Sequence, residues 1–162
     1  MMKRLPLILA AAGLLAGPLM AQGAVTGTFK GANGTVKLTP APKGVLIHIE
    51  ASGLKPGWHG LHFHDKGDCS DAAFKSAGAH VHGAAKAVHG LLNPAANESG
   101  DLPNLYAAAD GTAKAEFFTT ALMLPALRDA DGSAVVIHAN ADDYTSQPIG
   151  GAGDRVACAV IR

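Results

Sequence analysis

The chain has 162 residues, of which 13 are basic and 13 acidic, so its formal net charge is zero. The sequence carries neither the basic patch of a nucleic-acid-binding protein nor a basic amphipathic helix for a membrane surface. Without Lys3 and Arg4, 11 basic residues face 13 acidic ones, and the net charge becomes about −2. Nucleic-acid and membrane partners are therefore not expected.

The first predicted element is a secretory signal peptide at residues 1–22, with its cleavage boundary within 21–24. Two basic residues precede the apolar run LPLILAAAGLLAGPLM, which is the pattern of an export signal. The run is shorter than about 18 residues and contains Pro18, so it would span a membrane poorly. A short buried helix is the alternative. Export predicts a periplasmic or secreted protein whose residues 23–162 form one domain.

Short strands separated by turns follow. The segments AVTGTF and TVKLTP flank a turn in which Asn33-Gly34 is a strong hairpin signal. Hydrophobic residues alternate with polar ones in 43–51, which predicts a half-buried strand. Further strands are predicted at 111–119, 133–139 and 155–161, whereas 65–105 has no sustained period. This pattern predicts an antiparallel sandwich or barrel with one long functional loop.

Histidines concentrate around two adjoining segments and one distant strand. Because strand side chains repeat every two residues, His62 and His64 in WHGLHFH share a face. Further histidines follow in the long loop, and His138 lies in a late strand. Neutral imidazoles suit copper and zinc, whereas calcium and magnesium prefer oxygen. The histidine pattern therefore predicts a copper or zinc site.

The chain has two cysteines, Cys69 and Cys158. In an exported protein two thiols most simply pair as a disulfide. Free buried thiols and metal ligation are the alternatives, but neither cysteine has a neighbour at CxxC spacing.

Six motifs together resemble the copper-zinc superoxide dismutases, and the resemblance runs from about Val25 to Ile161 in the order of that family. They are WHGLHFHDKGDCS, SAGAH, HGLLNP, GDLPNL, VVIHANADD and GDRVAC. The resemblance implies an all-β fold, an eight-stranded antiparallel Greek-key barrel with an immunoglobulin-like sandwich architecture and long metal-binding loops. It also implies an enzyme that dismutates superoxide to oxygen and hydrogen peroxide by copper redox cycling, with zinc as the second metal.

The resemblance assigns a role to each matching residue. His80 matches the imidazole that bridges the two metals, and Arg155 matches the arginine that attracts and positions the anion. Asp142 matches the carboxylate that links the metal sites through the ligand histidines. Cys69 and Cys158 match the disulfide of the long loop. The copper ligands implied are His62, His64, His80 and His138, and the zinc ligands implied are His80, His89 and Asp101.

Two positions depart from the family pattern. Glu98 stands where the family has a third zinc-site histidine, three residues before Asp101. It either replaces the histidine through an oxygen ligand or faces solvent, and in both cases zinc is expected to bind more weakly. His82 differs from the residue that the family usually has shortly after the bridging histidine. It is either an additional ligand or a solvent-facing loop residue.

Two rival interpretations remain. One is a periplasmic copper-binding protein with a degraded zinc site and no turnover, and the other is an immunoglobulin-like module with vestigial ligands. A storage site needs neither a bridging histidine nor an anion-guiding arginine, so His80 and Arg155 favour the enzyme. The resemblance leaves the oligomeric state open between monomer and homodimer.

Overall fold

A computed structural model of the chain describes residues 23–83 and 86–162; the predicted signal peptide lies outside them. Nine strands and two short 3-10 helices, Lys75–Ala77 and Leu124–Leu127, make up its regular structure. Within the described ranges, no helix has the length and apolar character needed to cross a membrane. The strands are β1 (Val25–Lys30), β2 (Asn33–Ala41), β3 (Gly44–Ser52), β4 (Gly57–His59), β5 (Leu61–His64), β6 (Leu105–Ala107), β7 (Ala113–Thr119), β8 (Ser133–His138) and β9 (Arg155–Ile161).

The antiparallel sheet curls into the predicted barrel. Seven strands follow the order β5-β8-β9-β1-β2-β3-β7, and β4 pairs separately with β6. Only Gly60 separates β4 from β5, so the two are one interrupted strand, and the count becomes the predicted eight. The non-sequential order, in which β9 lies beside β1 and β7 beside β3, reflects crossovers between hairpins.

Strand β3 shows why the sequence forms this sheet. Val45, Ile47 and Ile49 are fully buried, whereas Leu46 and Glu50 on the opposite face are exposed. The period of two places every β-branched residue on the core side of the strand, as the alternation predicts. The same side chains join the main hydrophobic core, and burying each of them stabilises the fold by about 1.5–3 kcal/mol.

The predicted turn at Asn33-Gly34 is one element that differs. Both residues begin β2 and pair with β3, so that Asn33 lies opposite Ser52 and Gly34 opposite Ala51. The predicted hairpin joins β1 to β2, but the chain reverses two residues earlier, at Gly31, whose φ is +85°. A Cβ on Gly34 would collide with the carbonyl oxygen of Glu50. That glycine therefore permits a close approach of two backbones instead of forming a turn.

The long loop between β5 and β6 is anchored to the barrel at several points. Cys69 and Cys158 form the predicted disulfide, which ties the loop to β9. Backbone bridges also pair His64 with His80, and His62 with Asp101. These anchors bring loop residues against the histidines of β5.

Candidate metal centre

Four imidazoles converge beside β5 and β8, and we call them the imidazole group: His62, His64, His80 and His138. One ligand atom from each lies within 4.8 Å of all the others, and all four side chains are buried. Five buried side-chain nitrogens or oxygens lack a hydrogen-bond partner among the described residues, and four of these are His62 Nδ1, His64 Nε2, His80 Nε2 and His138 Nε2. An unpaired buried polar atom costs about 1–3 kcal/mol, so four at one point indicate a site whose nitrogens are arranged to bind a ligand.

The other nitrogen of each ring has an acceptor that fixes the ring. His64 Nδ1 donates to the Gly78 carbonyl at 3.1 Å, and His138 Nδ1 donates to the Gly153 carbonyl at 3.1 Å. His62 Nε2 lies 2.8 Å from Asp142 Oδ2. Because these nitrogens carry the ring proton, the inward-facing nitrogens keep their lone pairs, as metal ligation requires.

Burial keeps three of these rings neutral. It lowers the pKa of His64 to about 2 and that of His138 to about 3, and it also lowers the pKa of His62. Charging an imidazole away from water is unfavourable, and neighbouring rings would repel the charge. These three rings thus present neutral nitrogen donors, which suit a copper or zinc ion.

Next to the imidazole group lies a second cluster, the mixed group, formed by His80, His89, Glu98 and Asp101. Asp101 Oδ1 is 2.9 Å from His89 Nδ1 and 3.3 Å from His80 Nδ1. Glu98 Oε2 is 2.7 Å from His80 Nδ1 and 3.1 Å from His89 Nδ1. The Glu98 side chain is only 6% exposed, so it does not face solvent. Each of the two imidazole nitrogens thus lies within 3.3 Å of both carboxylate oxygens.

Two residues connect the groups. His80 turns Nε2 to the imidazole group and Nδ1 to the mixed group. Asp142 Oδ2 accepts a hydrogen bond from His62 Nε2, and Asp142 Oδ1 accepts one from His89 Nε2 at 3.1 Å.

The carboxylates around these rings are ionised. Although burial favours the protonated form of Asp142, the hydrogen bonds from His62 and His89 hold its pKa well below the usual range. Although burial lowers the pKa of His89, bonds to Asp101, Asp142 and Glu98 raise it to about 11. The carboxylates are therefore ionised and favour a cation between them.

Arg155 lies at the start of β9 beside an open pocket of about 590 Å³. Its Nη1 donates to the Phe74 carbonyl and its Nη2 to the Gly78 carbonyl, each at 2.6 Å. Gly78 also accepts from His64, so one carbonyl orients both the guanidinium and a member of the imidazole group. Lys75 lines the same pocket. Two cationic side chains and the carboxylate of Asp154 thus line a pocket, which adjoins the imidazole group through the carbonyl of Gly153 that accepts from His138.

The other histidines lie outside both groups. His59 Nδ1 lies 2.6 Å from the His138 carbonyl oxygen and Nε2 lies 2.8 Å from the Lys55 carbonyl oxygen, and both carbonyls are acceptors, so the ring braces the barrel. His82 pairs through its backbone with Glu98 and lines a cavity of about 260 Å³. The histidine-rich sequence alone does not separate these residues from ligands, because only the register decides where each ring points.

Sequence reasoning missed residues that hold Asp142 in place. The Asn104 side chain donates to the Asp142 carbonyl and accepts from its amide, both at 2.9 Å. A Cβ on Gly150, whose φ is +60°, would collide with Asp142 Oδ1 and crowd His89. Asn104 lies in the motif GDLPNL, so the sequence did contain a signal for its role. Gly150, by contrast, lies in a stretch without a motif.

Comparisons with known proteins agree with this arrangement. The sequence profile described as Copper/zinc superoxide dismutase (SODC) matches residues 32–161. A Superoxide dismutase [Cu-Zn] of Caulobacter vibrioides is 62% identical over 135 residues, covering 80% of this chain and 78% of the relative. A double mutant of a SOD-like protein from Bacillus subtilis has a TM-score of 0.75 at 35% identity, covering 87% and 98% of the two chains. The Cu/Zn superoxide dismutase from Brucella abortus has a TM-score of 0.71 at 28% identity, covering 86% and 99%.

Proposed function

This chain belongs to the copper/zinc superoxide dismutase family, and we propose that the imidazole group holds its copper and the mixed group its zinc. The family membership makes it an enzyme that dismutates superoxide to oxygen and hydrogen peroxide. One observation carries the assignment of copper: four buried ring nitrogens that have no hydrogen-bond partner among the described residues face one another. The second nitrogen of three of these rings is held by an oxygen of Asp142, Gly78 or Gly153, and that of His80 is held by the mixed group. A site in which all the donors are nitrogens suits copper.

The mixed group supports zinc by a different argument. Zinc accepts imidazole nitrogen and carboxylate oxygen in four-coordinate sites, and this group offers two of each. We assign Glu98 as the fourth ligand, because its buried carboxylate contacts both His80 Nδ1 and His89 Nδ1. Asp142 orients the rings of His62 and His89 from outside both metal sites.

The chain's own residues bind the substrate anion and hold a proton for the product. Copper, when bound, supplies the one-electron transfers that imidazoles cannot perform. Arg155 donates one N–H to each of two carbonyls, and its remaining N–H groups can donate to a small anion. When it is not bound to copper, His80 Nε2 can hold one of the protons that the peroxide product requires, because no group in the described residues hydrogen-bonds to that nitrogen.

Diffraction at the copper and zinc absorption edges tests the two assignments directly. For the copper- and zinc-loaded protein, we expect copper signal between His62 and His138, and zinc signal between Glu98 and His89. Copper signal elsewhere, or zinc without the Glu98 carboxylate beside it, would contradict the corresponding assignment.

A second expectation concerns Lys75, which shares the pocket of Arg155. A Lys75→Glu variant should lower kcat/KM for superoxide roughly threefold at low ionic strength, and the difference should shrink as salt is added. The reason is that cationic groups at a cleft raise the encounter rate of an anion, and salt screens them. Pulse radiolysis at several ionic strengths measures it. Lys37→Glu, the same charge change on exposed β2 residue Lys37, is the control, and an equal loss in both variants would contradict steering by position.

A third expectation tests Glu98 as a ligand. A Glu98→Ala variant should bind zinc at least about tenfold more weakly, because it loses one of four donors. Competition with a chromophoric chelator measures the affinity, and the same titration examines the predicted weak binding relative to family members with a third histidine. Glu116→Ala, which removes an exposed carboxylate beside His48, is the matched control. Unchanged zinc affinity in the Glu98 variant would refute the ligand role.

We also propose that the protein works outside the cytoplasm. The Cys69–Cys158 disulfide supports an oxidising compartment. The basic start and apolar run of residues 1–22 support export to the periplasm or the exterior. Sequencing the N-terminus of the protein purified from cell fractions tests both the cleavage boundary and the compartment. Sedimentation of the same sample decides between monomer and homodimer.

A further inference from the structure

We propose that Glu98 makes the mixed group a metal-sorting site, one that discriminates against copper more strongly than the same site with histidine at position 98. The inference rests on the proposed function, because it takes Glu98 as a ligand of that site. It concerns selectivity between two metals, and absolute zinc affinity is a separate quantity.

The two groups compete for metals because they share His80 and lie side by side. The imidazole group offers nitrogen donors alone, whereas the mixed group offers two carboxylates and two imidazoles. Imidazole suits both copper and zinc, whereas a carboxylate oxygen is a harder donor, which zinc accepts and the soft Cu(I) ion disfavours. Exchanging one imidazole for a carboxylate therefore weakens copper binding more than zinc binding. The difference in donor composition between neighbouring sites tells the two metals apart.

Charge acts in the same direction for monovalent copper. Glu98 adds a second carboxylate to Asp101, and both lie within about hydrogen-bond distance of the same two ring nitrogens. The attraction between charges scales with their product, so a divalent ion gains more than a monovalent ion from the added carboxylate. The Glu98 side chain is 6% exposed and the Asp101 side chain 2%, so water screens this attraction little.

The backbone holds Glu98 at this position through contacts that need no metal. The amides of Asn97 and Glu98 both donate to the Val88 carbonyl, at 3.0 and 3.4 Å. Asn97 Oδ1 accepts from the Val88 amide at 2.8 Å. Val88 directly precedes His89, so these bonds fix the carboxylate relative to one of the two imidazoles. A preorganised donor set discriminates between ions better than one that rearranges for each ion.

The test compares three full-length chains carrying one copper and one zinc: the wild type, Glu98→His and Glu98→Gln. Each is titrated with buffered Cu(I) and, separately, Cu(II), and zinc release is followed with a zinc-sensitive dye. We expect Glu98→His to release half of its zinc at a free copper concentration about tenfold lower than the wild type. Glu98→Gln keeps the size of the side chain and loses its charge. We expect it to release half of its zinc at a free Cu(I) concentration between those of the wild type and Glu98→His.

Equal copper concentrations for half-release in the wild type and both variants would overturn the inference and leave the proposed zinc site standing. A wild-type protein that retains no zinc after loading would overturn the proposed site and the inference together. Circular dichroism and thermal unfolding verify that each variant folds. If Glu98→His does not fold, Glu98→Gln decides: earlier zinc release by Cu(I) supports sorting, and unchanged release refutes it.

Discussion

A His62→Ala variant is expected to lose superoxide dismutation by about hundredfold or more while keeping its fold. The substitution removes one of the four convergent nitrogens, and it also breaks the 2.8 Å contact between His62 Nε2 and Asp142. Removing a partner of a ligand already costs about 10–100-fold in metal affinity or activity, and removing the ligand itself should cost more. Turnover per bound copper and copper affinity are the measurements.

Folding of this variant is judged on the metal-free protein. His62 Nδ1 has no hydrogen-bond partner there, so its loss removes an unfavourable buried atom and partly offsets the cavity left by the ring. The control is His48→Ala, which removes an exposed β3 histidine whose contacts are the carboxylates of Glu50 and Glu116. That variant should keep wild-type activity. Retention of more than half of the activity by His62→Ala would refute the assignment of the imidazole group.

Periodicity predicted the parts of this structure that depend on strand geometry. In β5, Leu61 and Phe63 join the hydrophobic core, whereas His62 and His64 face the metal centre. The pairing of His62 with His64 follows from the two-residue repeat alone. Bringing His138 beside them depends on β8 pairing with β5, which is a long-range contact that local pattern cannot specify. The family resemblance supplied that step.

Other features carry no signal in side-chain chemistry. The carbonyls of Gly78 and Gly153 orient His64 and His138, but any residue has a carbonyl, so only the chain path reveals them. Glu98 shows the same limit. Its sequence permitted either a ligand or a solvent-facing residue, and backbone bonds to the Val88 carbonyl place Glu98 beside His89, where its carboxylate contacts both rings. The hairpin between β1 and β2 is confirmed, but its reversal lies at Gly31 and not at Asn33-Gly34, because those two residues pair with β3.

A Cys69→Ser, Cys158→Ser double variant should have the largest effect on stability. The disulfide joins residues 89 positions apart. Closing a loop of that length restricts the unfolded chain, and the entropy model predicts that its loss lowers the free energy of unfolding by about 4–5 kcal/mol. Urea unfolding of the metal-free protein measures the change, with a modestly larger m value because the unfolded chain becomes more expanded. A loss below about 1 kcal/mol at unchanged m would contradict this account.

The same variant should also lower activity, through Arg155. The disulfide anchors the loop whose carbonyls at Phe74 and Gly78 hold the guanidinium. The loop retains contacts of its own, because Asp71 accepts from the amides of Ser76 and Ala73. We therefore expect a partial loss of kcat/KM at full copper occupancy, verified by metal analysis. Unchanged kcat/KM together with lower stability would mean that the barrel positions Arg155 without the crosslink. Copper loss in proportion to activity would place the defect at the imidazole group instead.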